Sequence, residues 1–118
     1  MRVMIGKYTY EINAWLRTLD YLQQENIYMK TRLAETMKDQ VNSATLEKAE
    51  YYQSAFINKD TVIAFLRQDI LQFQENNIPE AEARERKNVL QADMQKMEKE
   101  FAKLKFEFND FIQKGNAA

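Results

Sequence analysis

Apolar residues recur at intervals of three and four along almost the whole chain, and this spacing restricts the fold more than any other feature. It places apolar side chains on one face of an α-helix. Three separate series are present, and the third, from Leu90 to Phe111, alternates four and three as a coiled-coil heptad does. The sequence therefore predicts helices at roughly residues 8–41, 43–76 and 79–114, within a single helical domain of residues 1–118.

Two short segments interrupt the series. Asn42 and Ser43 are favoured helix caps, and with Asn42 as N-cap, Val41 and Leu46 occupy the two positions of a hydrophobic staple. The second segment, ENNIPE, contains Pro79, which fits only the first turn of a helix and ends the helix before it. Both segments predict short turns between consecutive helices.

Short connections between long helices make neighbouring helices antiparallel. The scarcity of turn formers, with two Gly and one Pro, argues against a β-rich fold. We therefore expect an all-α fold, an antiparallel up-down-up three-helix coiled-coil-like bundle with long helices. In its length and in the early pair Trp15-Leu16, the chain is similar to a spectrin-type three-helix repeat. This resemblance concerns architecture alone and implies the same bundle.

The chain contains no Cys and no His, which removes several chemistries at once. Thiol nucleophiles, Cys/His metal sites and histidine bases are all excluded, and we expect no catalytic residue, no cofactor and no metal. The net charge of −1, with signs interleaved, argues against nucleic-acid partners. No run reaches the roughly 20 apolar residues of a membrane span, and residues 1–5 are too short for a signal-peptide core. A cytoplasmic protein with no membrane partner is expected.

Two polar residues occupy the centres of otherwise apolar stripes: Asn26 in the first and Lys59 in the second. Antiparallel pairing about the first turn brings both to the same level. We interpret them as a polar layer that fixes helix register, with Glu25, Asp60 or Glu98 as the acid for Lys59. The alternatives are a Lys59 ammonium that extends past the core edge, a polar layer at an oligomer interface, and a lysine base or Schiff-base nucleophile.

Three tyrosines, Tyr10, Tyr21 and Tyr28, fall within about 20° of each other on the back of the first helix and span about 27 Å. Tyrosine is enriched at protein interfaces. We therefore predict that this row is a contact surface, the alternative being incidental exposure. Most of the six methionines lie in the stripes. They are expected to fill the core, or alternatively to line an adaptable groove for a partner helix.

The function that these features favour is a non-enzymatic helical protein–protein interaction or structural module. The expected partner is a second copy of the chain, giving a homo-oligomer, and the bundle closes either within one chain or between chains. The alternative is an adaptor or regulator that binds a partner protein's helix in a Met- and aromatic-rich groove. A Lys59-dependent enzyme is the remote alternative.

Overall fold

The structure is a computed structural model that describes the backbone of residues 5–117 and the side chains of residues 6–114. A 3₁₀ helix, Ile5–Tyr8, leads into α1 (Thr9–Thr36), which is followed by α2 (Ser43–Glu75) and α3 (Glu80–Ala117). Within the described backbone there are three α-helices and no strand element. The expectation about a signal peptide concerns the first five residues, of which 1–4 lie outside the described part.

The three helices form an antiparallel bundle, as predicted. In both consecutive pairs, residue numbers that rise along one helix meet residue numbers that fall along the next. The contacts that show this order are Asp20–Arg67, Lys30–Asp60, Tyr52–Glu107 and Lys59–Glu100. The bundle measures 63 × 19 × 17 Å, so it is a thin rod, with the helix axes along its length. None of the helices, within residues 5–117, holds a stretch long and apolar enough to cross a membrane.

The apolar stripes of all three helices meet in one continuous core. Burying a large apolar side chain stabilises the fold by about 1.5–3 kcal/mol, so this core is the main stabilising contribution. An aromatic cluster of Tyr52, Phe56, Phe108 and Phe111 joins α2 to α3, with Phe56 and Phe108 edge to face at 5.0 Å between ring centroids. The largest fully buried side chains are Phe56, Phe73, Phe108, Ile12, Leu19, Met29, Ile70, Ile112 and Asn26.

The turn between α1 and α2 begins earlier than the sequence predicts, because α1 ends at Thr36 rather than near residue 41. Gln40 closes the turn: its Oε1 accepts hydrogen bonds from the backbone N–H groups of Val41, at 3.1 Å, and Asn42, at 2.9 Å. Asn42 is the N-cap of α2, as predicted, and its Oδ1 accepts the N–H of Thr45 at 2.9 Å.

The connection between α2 and α3 places Pro79 directly before the first residue of α3. Its carbonyl accepts the N–H of Ala83 at 2.9 Å and so begins the helical hydrogen-bond pattern. Glu80 then accepts a hydrogen bond from Lys7 at 2.9 Å, which ties the 3₁₀ helix to the start of α3. This bond, together with the charge of its partner, raises the pKa of Lys7 and lowers the pKa of Glu80.

The far end of α3 also differs from the prediction. The helix continues beyond residue 114, its predicted end, to Ala117, and so includes Gly115. A single glycine costs a helix only about 1 kcal/mol relative to alanine, so it weakens the last turn without stopping it.

Candidate functional site

Asn26 is a polar residue in the middle of the core, and its side chain is fully buried between α1 and α2. Its Nδ2 donates to the Phe56 carbonyl at 2.9 Å and to Asp60 Oδ1 at 2.7 Å. Lys30 donates to the other oxygen of Asp60 at 2.6 Å. Among the described residues, nothing donates to Asn26 Oδ1. The polar layer at this level therefore consists of Asn26, Asp60 and Lys30.

Lys59 does not join this layer but belongs to the interface between α2 and α3. Its Nζ bonds Glu100 at 3.2 Å, with the lysine side chain 12% exposed and the glutamate 49%. The partner is thus none of the three acids that the sequence suggested, which were Glu25, Asp60 and Glu98. The reason is helical rotation: one residue turns the side chain by about 100°, so Asp60 faces α1 while Lys59 faces α3.

The predicted contact tyrosines are exposed along α1: Tyr10 by 79%, Tyr21 by 59% and Tyr28 by 58%. Tyr21 and Tyr28 border a groove between α1 and α3. On the opposite side, Phe106 of α3 is exposed one turn from groove-lining residues. Tyr21 and Tyr28 therefore form one edge of a concave surface, whereas Tyr10 does not line it.

The groove consists of two adjoining concavities, of about 610 and 430 Å³, that share Tyr21, Glu25 and Lys105. An ion pair between Glu25 and Lys105, at 3.2 Å, bridges the two helices where the concavities meet. We call this surface the tyrosine groove. It is lined by Ala14, Arg17, Thr18, Tyr21, Leu22, Gln24, Glu25, Tyr28, Met29, Arg32, Glu98, Phe101, Ala102, Lys105 and Asn109.

The contribution of α3 to this groove was not predicted from the sequence. Ala102, Lys105 and Asn109 flank the core stripe of α3, but the stripe does not show which side faces α1. The sequence signal that could have indicated this contribution was the small side chain of Ala102, one helical turn before the exposed Phe106. Only the packed arrangement of the helices brings these residues alongside the tyrosine row.

A second, smaller cavity of about 310 Å³ lies between α1 and α2 near their turn, where Met37 and Leu46 contribute to an apolar lining. Val41 is 90% exposed, so the predicted staple with Leu46 does not form. The other stripe methionines, Met29, Met94 and Met97, are buried in the core.

Tyr52, at the α2–α3 interface, is a further titratable group with a structural role. Its hydroxyl donates to the Glu107 carbonyl at 3.2 Å. Partial burial, assisted by the nearby charge of Glu107, raises the pKa of Tyr52 above its ordinary value of 10.0. In the described part of the chain, no three acidic residues are grouped so that they could hold a metal ion.

Comparisons of the chain with protein-family models, with curated proteins and with solved structures give no match.

Proposed function

We propose that the chain is a non-enzymatic helical interaction module that self-associates through the tyrosine groove. The observation that carries this proposal is the position of Tyr21, which is 59% exposed and lines both concavities. A large aromatic side chain that lies beside a concave surface offers apolar area to a partner and a hydroxyl for a hydrogen bond.

The composition of the groove supports a protein partner. Aromatic residues and arginine are enriched at protein interfaces, and Tyr21, Tyr28, Arg17 and Arg32 all contribute to this surface. Its length supports contact with an elongated element, because Ala14 and Arg32, which line its two ends, are about 27 Å apart along α1 at the usual helical rise. An antiparallel helix of a second copy has the shape that such a groove accepts.

The environment of Lys59 supports a role without catalysis. A Schiff-base lysine needs a free amine that a carbonyl substrate can reach. The Lys59 ammonium instead bonds Glu100, and its side chain is mostly buried against the bundle. The lack of cysteine is compatible with the cytoplasm, where disulfides are rare, and we include that location in the proposal.

Sedimentation velocity tests the proposal. The wild-type protein is expected to form a dimer at high micromolar concentration, and Tyr21→Glu to be monomeric, because a buried carboxylate at the centre of the contact would lack a partner. Phe65→Glu is the matched control: Phe65 is 63% exposed and lies on α2, away from the groove. It is expected to dimerise like the wild type.

A monomeric wild-type protein over the whole concentration range would overturn self-association. If that monomer instead formed a stoichiometric complex with another helical protein, and Tyr21→Glu abolished the complex, the adaptor function would replace the one proposed. Equal dimerisation of the wild type and Tyr21→Glu would place the contact on another face.

A further inference from the structure

The charges beside the tyrosine row are arranged so that the row complements itself. We propose that two copies pair through α1 in antiparallel orientation, about a two-fold axis that passes Tyr21, with Arg17 of each copy bound to Glu25 of the other. This inference rests on the proposed function and specifies the partner as a second copy of this chain in one register.

Helix geometry places the participating side chains on one face. At about 100° per residue, they fall within an arc of about 80° on the outer face of α1, on the side towards α3. The structure is consistent with this placement, because all of them except Tyr10 line the tyrosine groove. The residues on this arc are Tyr10, Ala14, Arg17, Tyr21, Glu25, Tyr28 and Arg32.

A two-fold axis at Tyr21 sets which residues of the two copies meet. Around that axis, residues of the two antiparallel helices lie at the same level when they are equally far from Tyr21 in opposite directions. Arg17 and Glu25, four residues before and four after, therefore face each other twice in the dimer. Tyr28 lies opposite the small Ala14, which leaves space for its ring.

Tyr10 and Arg32 are the outermost pair, each eleven residues from Tyr21. A guanidinium over a tyrosine ring is a favourable cation–π contact. The same axis thus matches a charge with its opposite, a large side chain with a small one, and a cation with an aromatic ring.

The state of Arg17 and Glu25 in one copy supports this exchange. Arg17 is exposed and, among the described residues, makes no hydrogen bond or ion pair. Glu25 uses Oε2 for its ion pair with Lys105 and keeps part of its side chain exposed. A carboxylate has two oxygens and can accept from two cations. Glu25 can therefore bind Arg17 of a second copy without releasing Lys105.

Other arrangements of the two helices place like charges together. A parallel pairing sets Arg17 against Arg17 and Glu25 against Glu25. An antiparallel pairing whose axis is moved by about one turn, to residue 17 or to residue 25, also brings two copies of the same charged residue into contact. Like-charge contacts oppose association and select against these registers.

Charge reversal with mixed variants tests the pairing. Arg17→Glu alone and Glu25→Arg alone are each expected to weaken the homodimer about tenfold or more, because each creates two like-charge contacts. An equimolar mixture of the two variants is expected to form a heterodimer within about threefold of wild-type affinity, because both contacts are then between opposite charges. Native mass spectrometry distinguishes the heterodimer from either homodimer by mass.

The mixture isolates the contact between chains. Glu25→Arg also removes the bond to Lys105 within its own chain. That bond is already absent from the free variant chain, so its loss is the same before and after the chain binds a partner. The matched controls are Lys48→Glu and Glu47→Arg, which reverse exposed charges on α2 and should leave the affinity unchanged. Circular dichroism confirms that each variant is folded before its association is measured.

The outcomes separate this inference from the proposed function. If the wild type dimerises and the single variants bind as tightly as it does, or if the mixture stays as weak as the single variants, the Arg17–Glu25 pairing is wrong while self-association stands. If the wild type remains monomeric, the proposed function fails and the pairing fails with it.

Discussion

Asn26 of α1 donates a 2.7 Å hydrogen bond to Asp60 of α2, while Lys59, the residue before Asp60, bonds Glu100 of α3. The two adjacent charges therefore serve two different helix interfaces. Asp60 and Lys59 explain together why a charged pair occurs inside an apolar segment of α2. Asp60 extends past the core to α1, and Lys59 extends past it to α3.

A double-mutant cycle should detect the bond between Asn26 and Asp60. With Asn26→Ala and Asp60→Ala, we expect a coupling energy of about 1 kcal/mol. This value lies at the lower end for a charged hydrogen bond because more than a third of the Asp60 side chain is exposed. The measurement is urea unfolding of the wild type, both single variants and the double variant.

The matched control is a second double-mutant cycle, in which Lys59 is mutated instead of Asp60. A cycle between Asn26→Ala and Lys59→Ala should give a coupling energy near zero, within about 0.5 kcal/mol. A larger coupling for Lys59 than for Asp60 would support the layer expected from the sequence and contradict the observed one.

Lys59 should stabilise the bundle more through its aliphatic chain than through its charge. Replacement by Met keeps most of that chain, and we expect stability within about 1 kcal/mol of the wild type, since a partly exposed ion pair contributes little. Replacement by Ala removes three buried methylenes and should cost about 2 kcal/mol. Urea unfolding measures both, and equal losses for Met and Ala would show that the ion pair dominates.

Asn42 should be the main local determinant of where α2 begins. Asn42→Ala removes the acceptor of the Thr45 N–H and is expected to cost about 1 kcal/mol. Asn42→Asp keeps that acceptor and should remain within about 0.5 kcal/mol of the wild type. Thermal and urea unfolding of the two variants measure the difference, and an alanine variant as stable as the aspartate one would show that the cap is dispensable.

Tyr52 should make the bundle less stable at alkaline pH. Its pKa is raised in the folded state because burial disfavours the phenolate. The folded state therefore holds the proton to higher pH than the unfolded state. The stabilising contribution is complete below the ordinary value of about 10 and is lost as the pH rises through the folded pKa.

Urea unfolding at several pH values from about 9 to 11 measures this loss. Tyr52→Phe should be less stable than the wild type near neutral pH, because it lacks the bond to Glu107, and its stability should fall less steeply over the alkaline range. Identical slopes for the two proteins would contradict the assignment to Tyr52.

The helices and their antiparallel order could be predicted from the sequence because their signals are local. The spacing of the apolar stripes, the cap at Asn42 and the break at Pro79 each act within a few residues. The sequence places the end of α1 near residue 41, but the turn already includes Gln40, whose side chain bonds the N–H groups of Val41 and Asn42. Intrinsic helix propensity gives no sign of such a bond.

The polar contacts were harder to predict because they depend on rotation of one helix relative to the next. Asn26 could be identified as a polar residue of the core from its place in the stripe. Whether it meets Lys59 or Asp60 depends on a rotation of about 100°, the difference of one residue. The stripe defines the direction of the core, but it does not show which neighbouring helix lies on either side.

The groove between α1 and α3 also has a consequence for the order of folding. The Asn26–Asp60 bond joins residues 34 apart, whereas Glu25 and Lys105 are 80 apart (105 − 25). Closing the longer loop costs about 0.8 kcal/mol more in chain entropy. Lys59 and Glu100, which join α2 to α3, are only 41 residues apart. We therefore expect the contacts between consecutive helices to form before α1 meets α3. A second copy that binds the tyrosine groove would recognise only the bundle in which α1 and α3 are in contact. The melting temperature of the protein should then rise with protein concentration.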